Sequence, residues 1–435
     1  RRILALVGKR ADQQLPSDIA KILAINVGKR KPAQKQKLQI HFFKELSEHK
    51  SLSKKIATVQ KQIDLLKPLT TLVMIESAKR ESFVFKRGNF LDKGELVSTA
   101  TPAVLHPNRK SNEAKASNTD KSSDVSAKQN RLDFAKWICD SDNPLTARVA
   151  VNRWWTELYG SGIVRTGEDF GTQGERPTHP KLLDWLALEF VDSGWSMKHV
   201  LKTMVMSATY QQSSKVTKDK RLADPTNRYL ARGPRFRMPA EVIRDTALCV
   251  ADSFASKMNG PPIFPPQPEG IWRHVGRNAP KYATSQGTDR FRRGIYIYWR
   301  RSAPYPSFVN FDAPDRAACV VNRSKTNTPL QALTLLNDEA YIELARAFAD
   351  RIETMGTGEV SERIRQAFLA CTFREPNHQE LHFLNTFFNE QLQSMRNDSK
   401  KAQKIAGRTK DAEMLAAWTM VAQILLNLDE SITKD

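Results

Sequence analysis

The sequence predicts a mainly α protein: a multi-helix C-terminal domain with one or two short strands and long functional loops, behind a small α/β N-terminal remnant. Three observations predict it. Apolar residues recur at helical spacing through most of the second half. Caps and prolines punctuate that half at regular places, as in Asn143-Pro144, Thr178-His179-Pro180 and Ser196. A polar stretch without aromatic residues, NRKSNEAKASNTDKSSDVSAKQ (108–129), cuts it off from what precedes. With 435 residues the chain exceeds the size at which one core stops growing. The organisation expected is therefore a remnant over 1–106, a linker over 107–130 and a helical domain over 131–435.

Taken in order, residues 17–66 read as helical, with Ile19, Ile22, Leu23 and then Leu38, Phe42 and Leu46 on one face and lysines on the other. Pro68 ends this arm. TTLVMIE (70–76) and ESFVFKRGNF (81–90) read as two short strands around Ala78–Arg80. After the linker, helix starts are expected at 144, 180, 197, 239 and 329, about eight helices in all. Gly160 and Gly194 supply two stops. GIYIYW (294–299) alternates like a strand, and Thr328-Pro329-Leu330-Gln331 and Asn377-x-x-Glu380 read as capping boxes.

The net charge is +21, and residues 1–70 carry sixteen Lys/Arg against five Asp/Glu, or 16 − 5 = +11 of it. Such an excess suits a polyanionic partner or a solvated helical arm. The lysines have no interleaved aromatics for base stacking, so nucleic acid is the less favoured partner. No run approaches the length of a membrane-spanning helix. The chain begins Arg1-Arg2-Ile3 without Met and reads as a piece of a longer protein. Cys139, Cys249, Cys319 and Cys371 form no CxxC, CxxCH or zinc spacing. Their apolar neighbours suggest small buried side chains, with disulfides open if the protein is exported.

Chemistry concentrates in two loops. The stretch 293–336, RGIYIYWRRSAPYPSFVNFDAPDRAACVVNRSKTNTPLQALTLL, is too aromatic for disorder and too long for a plain connection. Asp312 and Asp315 are its candidate acid/base pair, since paired carboxylates can divide those roles when their environments differ. Arg300, Arg316 and Arg323 are candidate anion ligands, and Tyr305 and Phe311 candidate sugar platforms. The glycine-rich loop 160–180 adds Arg165, Asp169 and His179. On the helix after Pro239, Glu241, Arg244 and Asp245 share a face, with Glu241 and Arg244 as site candidates. The plain reading of all three groups is an arginine–carboxylate lattice that pins loops and caps turns. His378 and His382 do not have the order of a zinc-protease helix, and no metal ligand is assigned.

NPLTARVAVNRWW (143–155), GSGIVRTGEDFGTQGERPTHPKLLDWLALEF (160–190), SGWSMKHVLKTMVMSATYQQSS (193–214), DPTNRYLAR (224–232), AEVIRDTAL (240–248), FDAPDR (311–316) and TNTPLQALTLLND (326–338) together resemble the C-terminal domain of the planctomycete surface cytochrome c proteins, domain of unknown function 1553. Residues 1–105 resemble the tail of its usual neighbour, domain of unknown function 1549. Met238-Pro239 departs from the family pattern and gives only a cleaner helix start. The resemblance implies an exported protein, periplasmic or at the cell surface, whose partner is a c-type cytochrome. Haem c would sit on a module outside this chain. It implies no catalytic residue. The leading expectation is an extracytoplasmic module that binds, and in one version processes, a carbohydrate or other anionic polymer. A non-catalytic scaffold docking a cytochrome is the alternative, and nucleic-acid binding the third.

Overall fold

The computed structural model describes residues 16–43, 47–66, 70–75, 81–102, 104–105, 130–275, 281–356 and 358–434. The chain divides into two compact units, Arg1–Val97 and Ser98–Asp435. The linker expected over 107–130 lies outside the described residues apart from Asn130.

In the first unit, α1 (Ser17–Leu23) and α2 (Pro32–Phe43) bury Ile19, Ile22 and Leu38 against each other. Helix α3 (Ser47–Leu66) leaves Leu52, Ile56, Val59, Ile63 and Leu66 exposed. Strands β1 (Ser82–Phe85) and β2 (Lys93–Val97) pair antiparallel across a bulge. The strand expected at TTLVMIE does not form over its described residues 70–75. The ladder's second member is KGELV instead, because Asn89 turns the chain and lets β1 meet the segment that follows it.

The second unit is helical, and its segments outnumber the expected eight because loops and caps break the pattern into short pieces. They are α4 (Arg131–Ile138), α5 (Thr146–Tyr159), α6 (Pro180–Asp192), α7 (Met197–Val205), α8 (Lys218–Ala223), α9 (Ala240–Val250), α10 (Pro306–Asn310), α11 (Pro329–Asn337), α12 (Glu339–Thr354), α13 (Val360–Thr372), α14 (His378–Asn397), α15 (Ser399–Ala406), α16 (Ala412–Leu426) and α17 (Asp429–Ile432). No helix among the described residues is long and apolar enough to cross a membrane. Two cores organise the unit. Helices α5, α6 and α7 close a small one on Val151, Trp155, Leu186, Val200 and Met204. The larger surrounds α16, where Ala416, Ala417, Trp418, Val421, Ala422 and Leu425 are all 0 % exposed. A helix apolar all round must be enclosed, and its alanines let α12, α14 and α15 approach closely. Trp418 lies 4.1 Å from Phe388 between ring centres.

Between the cores runs a two-residue ladder, β3 (Phe236–Arg237) with β4 (Thr433–Lys434). Asn143 accepts hydrogen bonds from Leu145 and Thr146, so α5 begins two residues beyond the expected 144. The Asn377/Glu380 box is formed. The Thr328 box is not: Gln331 is buried and donates to Thr326 at 3.2 Å, so it cannot reach back to the helix end. GIYIYW is not a strand. It opens as a 3-10 turn at Gly294–Tyr296, with Ile297 making one isolated bridge to Ile263. The cysteines are free, and only Cys371 is buried; Cys139, Cys249 and Cys319 are exposed at helix ends or in a loop. Burial pushes the Cys371 thiol up to about 12.

Candidate functional site

Helix α5 stops at Gly160, whose φ of 76° is left-handed. A Cβ there would lie 2.7 Å from the Phe236 ring, so glycine is required twice over. Beyond it the backbone is fastened from below. Buried Asn152 accepts from the Val164 N–H at 2.9 Å and donates to the Val164 carbonyl at 3.0 Å. A Cβ on Gly162 would come within 2.4 Å of that carbonyl oxygen. With Ile163 and Val164 buried, the next side chain, Arg165, stands exposed, and its guanidinium makes no hydrogen bond or ion pair among the described residues.

The loop 311–327 folds onto this segment. Asn322 donates to Glu168 at 3.3 Å, and Arg323 pairs with Glu241 at 2.8 Å. Asp312, at φ 59°, ties the loop's two ends by accepting from Thr326 N at 2.7 Å and from the Thr326 hydroxyl. The Lys325 ammonium sits 3.9 Å from the centre of the Phe236 ring. Desolvation lowers its pKa, opposed by the nearby Glu157 carboxylate.

Two cavities result. One, of about 420 Å³, lies between the 160–165 segment and residues 221–236, with Arg221, Arg228 and Arg232 on its walls. The other, of about 270 Å³, lies between the same segment and 321–325, and also reaches Glu157 and Asp312. Gly160, Ser161, Gly162 and Arg165 line both.

The family model of PSD1, described as a protein of unknown function (DUF1553), matches residues 130–388 of this chain. The chain belongs to the PSD1 family. No curated protein and no solved structure matches it. Every residue lining the two cavities falls inside the PSD1 match, whereas β4, which braces them, lies outside it.

Of the residues singled out in the sequence, Arg165, Phe311, Asp312 and Arg323 meet at the second cavity, with Glu241 behind Arg323. The others go elsewhere. Arg244 is only 4 % exposed and donates to the carbonyls of Arg292 (2.8 Å) and Arg290 (2.7 Å), so it fastens backbone instead of facing a ligand. Asp245 does not orient it; its carboxylate accepts from the Gly294 N–H, and burial raises its pKa. Tyr305 offers no exposed face for a sugar: it is 3 % exposed and donates to the Pro266 carbonyl at 3.1 Å. Burial pushes its hydroxyl pKa well above the ordinary value. Phe311, 4 % exposed, backs the cavity from the core.

Asp315 and Asp169 each accept an N–H two residues ahead and cap their own turns. Arg316 covers the Trp299 ring at 4.7 Å and Arg300 the Trp272 ring at 4.9 Å. His179 contacts Thr178 at the start of α6. Among the described residues no three His, Cys, Asp or Glu side chains are grouped to hold a metal ion. Without a CxxCH pair the chain's own cysteines do not suit haem attachment.

Sequence reasoning missed Lys325, Glu157 and the arginines at 221, 228, 232, 235 and 237. The signal for Arg228, Arg232, Arg235 and Arg237 was the run DPTNRYLARGPRFR, basic at short intervals yet broken by Pro and Gly, so not a helical face; Glu157, Arg221 and Lys325 had no such mark.

Proposed function

We propose that this PSD1 domain is a binding module for an anionic, carbohydrate-type polymer. One observation supports it above others: an exposed, unpartnered Arg165 stands in the wall common to two arginine-lined cavities. A guanidinium left free at such a place suits the planar, two-oxygen face of a carboxylate or a sulfate. Hydroxyls and carboxylates at Ser161, Thr178, Ser214 and Glu157 offer partners to sugar hydroxyls. Binding is preferred to processing because Asp312 is engaged by Thr326 and Asp315 by its own turn. Family resemblance supports the rest of the setting, an extracytoplasmic location beside a c-type cytochrome whose haem sits on a module outside this chain.

The test is calorimetric titration of the chain with polygalacturonate and with a sulfated glycan, alongside duplex DNA at two salt concentrations. Saturable uronate or sulfate binding that Arg165→Ala weakens by about tenfold or more is expected, with an unchanged melting temperature. Salt-steep DNA binding without any glycan signal would reverse the assignment.

A further inference from the structure

The two cavities are bordered by the same two strips of chain. On one side runs 160–165, whose Gly160, Ser161, Gly162 and Arg165 line both. On the other runs 233–239: Gly233 to Phe236 line the first cavity, and Arg237, Met238 and Pro239 line the second. Strand pairing with β4 and the hold of Asp429 on Arg235 and Arg237 keep this second strip straight across the junction. The cavities share Gly160, Ser161, Gly162 and Arg165; the Phe236 ring packs against Gly160, and the exposed side chains on this shared strip are Ser161 and Arg165. Cations stand in both, Arg221 in the first cavity and Lys325 in the second, with Arg165 common to the two.

Resting on the proposed polyanion reading, we infer that the cavities are consecutive subsites of one groove that takes at least two successive acidic units of a linear uronate chain. A single charged sugar would use Arg165 and one neighbouring cation. A longer chain passes over Ser161 and Arg165 and engages both cavities, so the second contact is made at high effective concentration and affinity climbs with length. The rings at the groove argue against stacked bases, since Trp155 and Tyr159 are 5 % and 7 % exposed and stack on each other, and the Lys325 ammonium covers the Phe236 ring at 3.9 Å.

The experiment titrates the full chain with galacturonic acid and with galacturonate oligomers of increasing length, using wild type, Arg221→Ala and Ser161→Trp. Ser161 is exposed and has no left-handed φ, so a large side chain there raises the shared strip without backbone strain. Affinity should rise at least about tenfold from the single unit to the longer oligomers. Ser161→Trp should bring the ratio of long-oligomer to single-unit affinity down to about one. Arg221→Ala should weaken long oligomers more than the single unit. Binding that depends on Arg165 but not on length overturns the two-subsite inference and leaves the proposed function standing. No uronate binding at any length overturns the inference, and the proposed function falls with it only if the sulfated glycan does not bind either. Length-dependent binding of single-stranded DNA at equal or higher affinity overturns the uronate assignment.

Discussion

The arginines of the C-terminal helices and those of the groove are the same residue put to opposite uses. Arg374 is held by Glu380 at 2.7 Å and Glu430 at 2.9 Å, Arg365 by Glu362 and Glu375, and Arg408 by Asp350 and Glu353. Each has two carboxylates and no capacity left for a ligand. In the groove, Arg165 and Arg221 have none among the described residues, and Arg232 is satisfied by the carbonyls of Asp224 and Pro225. Withholding carboxylates concentrates positive potential where a walled cleft focuses it. Charge count alone does not locate a site; the distribution of counter-charge does.

The comparison breaks most visibly at Arg244, a third kind: buried, and bonded to backbone. Arg244→Ala should cost about 3–5 kcal/mol, because two buried carbonyls lose their donors and a hole opens. Urea unfolding reads this, and a loss under 1 kcal/mol would place Arg244 among the dispensable cations. Arg165→Ala should do the reverse, weakening uronate binding by about tenfold while shifting the urea midpoint little. If it unfolds the domain, the groove arginines are structural after all. Arg374→Ala is expected to lower stability by about 1 kcal/mol, since the network is partly exposed, and to leave ligand binding unchanged.

The smallest effect is in pH. The Lys325 ammonium has a pKa below the ordinary 10.5, so it loses its charge earlier than other lysines as pH rises. Binding of long uronates should therefore weaken on the alkaline side before the arginines matter, and Lys325→Arg should remove that drop. The Glu362 carboxylate titrates in the opposite window. Arg365 and Gln366 hold Glu362 at about 2, below its ordinary 4.5, so its contribution is present above 4.5 and is lost as pH falls through about 2.

Much of the helical scaffold was readable because its signals are local. Ser196 accepting from the His199 N–H, Pro180 opening α6 and the Asn377/Glu380 box each depend on residues within one turn. Where tertiary demand overrode a local signal, the reading failed. Gln331 is drawn into the core, and the GIYIYW segment spends its alternation on one bridge to Ile263 because Gly294 must nestle against the Glu241 backbone, where a Cβ would sit 3.0 Å away. The groove was legible only as two suspicious loops. Which arginine is free depends on acids far along the chain: Glu241 for Arg323, Asp429 for Arg235 and Arg237. Tyr305 and Phe311 show the same limit, since an aromatic in a loop has no local mark of which way it faces.

Strand β4 has a practical corollary. Thr433 and Lys434 are stitched into the groove's edge, and the Lys434 ammonium reaches across to the Leu158 carbonyl at 2.9 Å while covering the Tyr210 ring. Thr433 and Lys434 thus act as a clasp between the two cores, outside the stretch that the family model matches. Clipping at 432, or hanging bulk on residue 434, would loosen the groove as surely as altering its arginines.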